Sequence, residues 1–149
     1  MGLFRRKKNS VTDDAVKAAE WVASALTSSG YAADFSSGSL WEIDRFFEEQ
    51  SLRGEARPGG LLSEDLGSRI FALGAYTGEV IRRDLGGDWE ADVNDPEAEI
   101  NIAVHLADGT VIWPIQRAMK RYSNGGEDAI APYAAVLGVN VGEQPGSPA

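Results

Sequence analysis

Val16, Ala19, Val22 and Leu26 recur at helical spacing, and the chain around them predicts a first helix from about Asp13 to Ser29. Thr12 or Asp13 is placed to cap it, and Gly30 is a natural residue for its C-terminal turn. Tyr31 to Phe35 reads as a short extended segment, with Ser36 or Ser37 as the next cap. Leu40, Ile43 and Phe47 then form one stripe of a second helix over about 39–50, flanked by Trp41 and Phe46. Glu42, Asp44, Arg45, Glu48 and Glu49 make up its outer face. Pro58 with Gly54, Gly59 and Gly60 marks an internal loop. Ser63 is placed to cap a long third helix, with Glu64 and Asp65 in a first turn whose dipole favours negative charge. Its stripe is Leu66, Ile70, Leu73, Thr77, Val80 and Ile81, and Gly86-Gly87 stops it. Gly67, Gly74 and Gly78 lie near one another on this helix, each costing ~0.8–1 kcal/mol relative to Ala. Close approach by another element, or a glycine-lined groove for a ligand, would offset that cost.

Beyond Trp89 the period changes from helical to alternating. Ile100, Ile102, Val104 and Leu106 predict one face of a strand, and Asn101, Ala103 and His105 the other. Asp108-Gly109 suits a two-residue hairpin turn, which would pair Leu106 with Val111, His105 with Ile112 and Val104 with Trp113. Pro114 starts a helix carrying Ile115, Ala118, Met119 and Tyr122, and Asn124-Gly125-Gly126 stops it. A last helix covers about Glu127 to Leu137, with a regular part from about Ala131 because Pro132 belongs in a first turn. Trp89 to Val93 and Tyr31 to Phe35 are candidate extra strands. The predicted class is α+β, a small antiparallel sheet built around a hairpin at about 99–114 and packed against four or five helices. A single domain over 12–140 would lie between a basic, disordered leader at 1–11 and a disordered tail at 141–149, where Gly142, Pro145, Gly146 and Pro148 crowd together.

Composition narrows the chemistry. The 149 residues contain no Cys and one His, so thiolate nucleophiles, zinc-thiolate clusters and iron-sulfur sites have no ligands here. Fourteen basic side chains stand against 23 acidic ones, a net charge of −9. Arg5, Arg6, Lys7 and Lys8 supply four of the fourteen, which leaves −13 on residues 9–149. A body of that sign repels phosphate backbones, so no nucleic-acid partner is expected. The leader lacks the apolar stretch of a secretory signal, and Arg6 stands where a myristoyl motif needs Ser or Thr. What fits it is a solvated tail or a weak contact with anionic lipid, made by Leu3, Phe4, Arg5, Arg6, Lys7 and Lys8.

Each candidate site has a plain structural alternative. Asp88, Glu90, Asp92 and Glu99 fall at calcium-loop spacing, but Val93 occupies the position that needs glycine, and no metal is expected. His105 is either a surface residue of the hairpin or a ligand-binding or general-base group completed by nearby carboxylates. No Gly-x-Ser-x-Gly elbow occurs to give it a serine nucleophile. Arg117, Lys120 and Arg121 share a helix face, and Arg82 and Arg83 close another helix. Both groups are placed either to bind an anion or acidic peptide or to complement a helix dipole. Trp41, beside the Leu40–Ile43–Phe47 stripe, is a candidate exposed anchor for a partner.

In Ser39–Phe47, Phe71–Val80 and Trp113–Gly125 the chain resembles small, chiefly actinobacterial proteins grouped as domains of unknown function. The resemblance spans about residues 30–138 and implies a cytoplasmic bacterial protein, with no catalytic residues or cofactor to carry over. The expected function is a non-catalytic module that binds a protein through the second face of the hairpin or the Trp41 helix. The alternatives are an enzyme or small-ligand binder centred on His105, and a peripheral membrane adaptor acting through the leader.

Overall fold

The computed structural model describes residues 2–146, with side chains from Val11 to Gly146. Helix α1 spans Gly2–Ser28, so Thr12 and Asp13 lie within it instead of capping it. The leader residues Leu3, Phe4, Arg5, Arg6, Lys7 and Lys8, and the lipid contact expected of them, lie outside the residues with described side chains. Ala15, Ala19, Val22, Ala23 and Leu26 form the buried stripe, with Ala15 in the place expected for Val16. The helix ends in a Schellman turn. Gly30 adopts φ +92°, the Tyr31 N–H reaches Leu26 O at 2.9 Å, and the Gly30 N–H reaches Thr27 O at 3.2 Å.

Residues 31–36 do not form the expected strand, because their backbone donors go to side chains. The Ala32 N–H donates to Glu42 Oε1 at 2.9 Å and the Phe35 N–H to the Tyr76 hydroxyl at 2.9 Å. Helix α2 follows at Leu40–Gln50. The expected loop after it holds a miniature hairpin, β1 (Ser51–Leu52) and β2 (Glu55–Ala56). Arg53 at φ 44° and Gly54 at φ 86° make its turn, the two positive values that a two-residue type I′ turn requires.

Helix α3 spans Leu66–Leu85, later than expected. Asp65 is left-handed at its N-cap with no side-chain cap, and the Ser63 hydroxyl donates back to Gly60 O at 2.6 Å. From Ala72 to Ile81 every residue of α3 is buried, so α3 is the central helix of the molecule. Two of its glycines are explained by close approach. A Cβ on Gly74 would lie 2.7 Å from Ile115 Cα and 2.9 Å from Pro114 O, and one on Gly78 would lie 2.5 Å from the Trp89 ring. Gly67 differs, since a Cβ there meets nothing within 4 Å. Gly74→Ala is therefore expected to destabilise by about 1–3 kcal/mol through overpacking against backbone. Gly67→Ala should instead leave stability unchanged or raise it by up to ~1 kcal/mol. Denaturant midpoints for the two variants check this pair, and equal losses would contradict it.

The three-stranded antiparallel sheet has the order β3 (Gly87–Glu90), β4 (Ala103–Leu106), β5 (Val111–Ile112). Ile100 and Asn101, expected in the strand, belong instead to the one-turn helix α4 (Ala98–Asn101). Asp95 diverts them, accepting from the Glu97 N–H and from Asn101 Nδ2, each at 2.8 Å. The hairpin exists, but its register is shifted by one residue, pairing Val104 with Ile112 and His105 with Val111. Leu106 O accepts from the Gly109 N–H at 2.9 Å, and Thr110 O from the Leu106 N–H at 2.8 Å. That is a three-residue loop in which Gly109, at φ +94°, takes the left-handed position. Ile112 therefore joins the core, while Trp113 is turned outward at 47% exposed.

Pro114 opens α5 (Pro114–Asn124), a 3-10 turn covers Gly125–Asp128, and α6 spans Ile130–Leu137. The fold is a small α+β architecture, with α1 and α5 packed on α3 and the inner sheet face closing against it. Val139 and Val141 remain part of the core. Among the described residues no helix is long and apolar enough to cross a membrane.

Candidate functional site

The basic face of α5 does not act as one surface. Arg121 is buried and donates through Nε to Asp44 Oδ1 at 3.0 Å and through Nη2 to Asp44 O at 3.1 Å. Asp44, assigned by its spacing to the outer face of α2, is only 6% exposed. Its Oδ1 also accepts from the Ile130 N–H at 2.7 Å and its Oδ2 from the Ala131 N–H at 2.8 Å. One carboxylate thus pairs a buried cation and caps α6 from another helix. Arg117 pairs with Asp128 at 3.2 Å and lies over the Tyr133 ring, 4.2 Å from its centroid. Only Lys120 of the three points to solvent.

Trp41 is half-buried, and its indole N–H donates to Val141 O at 3.1 Å and Gly142 O at 3.2 Å. It fastens the segment after α6 to α2. His105 lies on the outer face of the sheet, with Asp88 opposite it on β3. Its Nε2 is 2.6 Å from Glu90 Oε2, and the two side chains are 48% and 60% exposed. They flank an open cleft of about 540 Å³ that Asp92, Asn101 and Thr12 also line. Glu90 orients the ring and leaves Nδ1 for a further partner. A pair this exposed adds little to stability. His105→Ala is accordingly expected to change stability by less than about 0.5 kcal/mol, measurable by urea denaturation.

A second charge cluster, which spacing alone placed at a helix end, surrounds Glu79. This residue is 2% exposed and accepts from Arg82 Nε at 2.8 Å, Arg82 Nη2 at 2.9 Å, Arg83 Nε at 2.9 Å and Trp89 Nε1 at 3.0 Å. Burial pushes its carboxyl up, but the bonds from Arg82, Trp89 and Arg83 together outweigh burial and hold the pKa down to about 2. Arg83 also covers the Phe35 ring at 4.0 Å. These arginines are structural ties between α3, β3 and the 31–36 segment.

What the sequence did not single out is an apolar surface across α1, α3, α4 and α5. One groove, about 580 Å³, runs between Trp21 and Ala18 of α1 and Gly67 and Phe71 of α3, with Asp14, Lys17 and Glu99 also lining it. A second, about 420 Å³, is lined by Leu66, Ile70, Phe71, Ile100, Ile115 and Met119. Gly67, Phe71 and Glu99 line both, so the two form one continuous surface. Trp21, 55% exposed, is the most exposed of the tryptophans and also walls a smaller hollow beside Phe46 and Leu61. Its position off the Ala15–Ala19–Val22–Leu26 stripe is the signal that was available. Monomeric soluble domains seldom leave a large contiguous apolar patch without a use.

No family model matches the chain, and no similar curated protein or solved structure was found for it.

Proposed function

We propose that the protein is a non-catalytic protein-binding module whose docking surface is the continuous apolar groove over α1, α3, α4 and α5. The observation that carries this reading is the junction at Gly67 and Phe71, where two apolar grooves meet beside an exposed Trp21. Aromatic anchors next to aliphatic hollows are the usual energetic centres of interfaces. The reading moves the expected surface. The Trp41 indole is engaged with Val141 and Gly142, and the outer sheet face carries Asp88, Glu90 and His105. The His105–Glu90 contact supports an enzyme reading only weakly, because both side chains are about half exposed or more in an open cleft. A cytoplasmic bacterial setting belongs to the same proposal.

A photo-reactive residue at Met119 tests the module reading in cells, with one at Asp108, on the hairpin tip, as control. The expected result is a discrete adduct from position 119 that is absent from position 108 and lost when Gly67→Trp fills the groove. Adducts indifferent to Gly67→Trp would overturn it.

A further inference from the structure

We infer that the groove's partner is an amphipathic helix whose apolar face is flanked by Lys and Arg. This rests on the reading of the groove as a docking surface and names what fits there. Both walls are built from helices of α1, α3 and α5, which present no strand edge, so an incoming strand finds no ladder to extend. A helix needs none, and it recognises a groove through side chains at i, i+3, i+4 and i+7.

Charge sets the flanks. The charged residues lining the two grooves are Asp14, Glu99 and Lys17, two carboxylates to one ammonium, and Arg69 walls the smaller hollow beside Trp21. Glu64 and Asp65 are exposed just before α3, beside Leu66 and Gly67. The wider body repeats the sign, with −13 on residues 9–149. With Asp14, Glu99, Glu64 and Asp65 against Lys17 and Arg69, the balance of charge around the apolar floor is acidic, which favours cationic flanks on the ligand and adds long-range attraction to its approach. An acidic helix would bring like charges together at Asp14 and Glu99.

Gly67 makes this testable without harming the fold. Its Cβ position is empty to 4 Å, so a large side chain there enters the groove instead of the core. The test uses the full chain and three labelled 18-residue peptides: a Leu/Lys amphipathic helix, a Leu/Lys peptide of the same composition in scrambled order, and a Leu/Glu amphipathic helix. Fluorescence anisotropy should show the Leu/Lys helix binding at least about tenfold more tightly than the other two, and weakening as salt is raised. Gly67→Trp should abolish that binding with no loss of melting temperature, and the double variant Asp14→Lys, Glu99→Lys should weaken it by about tenfold. Equal binding of the Leu/Glu helix, or no effect of the charge reversals, overturns the cationic partner. The docking surface survives that result if Gly67→Trp still blocks binding, and falls if it does not. Self-association that needs both the groove and residues 3–8 also overturns the proposal, since the occupant is then the leader of a second copy.

Discussion

Asp44→Ala is expected to cost about 3–5 kcal/mol, the largest loss of any single side-chain truncation outside the apolar core. Removing the carboxylate leaves the Arg121 guanidinium buried without its counter-charge and takes the acceptors from the Ile130 and Ala131 N–H groups. A buried unpaired cation alone accounts for most of that figure, and an uncapped helix adds ~1 kcal/mol. Asp44→Asn should lose less, because the amide oxygen still accepts one of these bonds. The double replacement Asp44→Ala, Arg121→Met should recover part of the loss by removing the stranded charge together with its partner. Urea denaturation of the three variants decides the matter. If Asp44→Ala loses under 1 kcal/mol, the carboxylate does not hold α2, α5 and α6 together.

Acid should weaken the protein through Glu79. Its carboxyl titrates near 4.5 in an unfolded chain and at about 2 in the folded one. Above pH 4.5 both states are ionised and the folded state keeps the full benefit of the Arg82, Arg83 and Trp89 bonds. As pH falls from 4.5 towards 2, the unfolded state takes up the proton first and that benefit is lost. The difference corresponds to about 3 kcal/mol. Glu79→Gln removes this titration, so its stability should change less between pH 6 and pH 2.5 than that of the parent. Parallel pH profiles for parent and variant would show that Glu79 plays no part in acid sensitivity.

The α+β class and most helix ends were legible because they depend on local rules. Gly30, Gly86 and Gly125 sit at helix ends with positive φ, as a glycine following an apolar stripe leads one to expect. The hairpin was legible in position and not in register. Asp-Gly suits a type I′ turn, but only Gly109 takes a positive φ, while the Asp108 carboxylate accepts from the Thr110 N–H at 2.8 Å. One residue of loop length then decides whether Ile112 or Trp113 faces the core. Asp44 was misplaced because a charged residue next to Ile43 reads as solvent-facing, although it lies one helical turn from Leu40 on the same face. Its partners are 77–87 positions away, and no local pattern reports them. The groove stayed hidden for the same reason, since Trp21, Gly67, Ile100 and Met119 meet only after α1, α3, α4 and α5 have packed.

The Trp41 fastening has a consequence for how the chain is made. The indole waits for the carbonyl of Val141, one hundred positions later. At roughly 5–20 residues per second, that is about 5–20 s of synthesis during which α2 exists without the segment that covers it. Nascent chains halted before Val139 should therefore show more protease cleavage around Leu40–Phe47 than chains carried through Gly142.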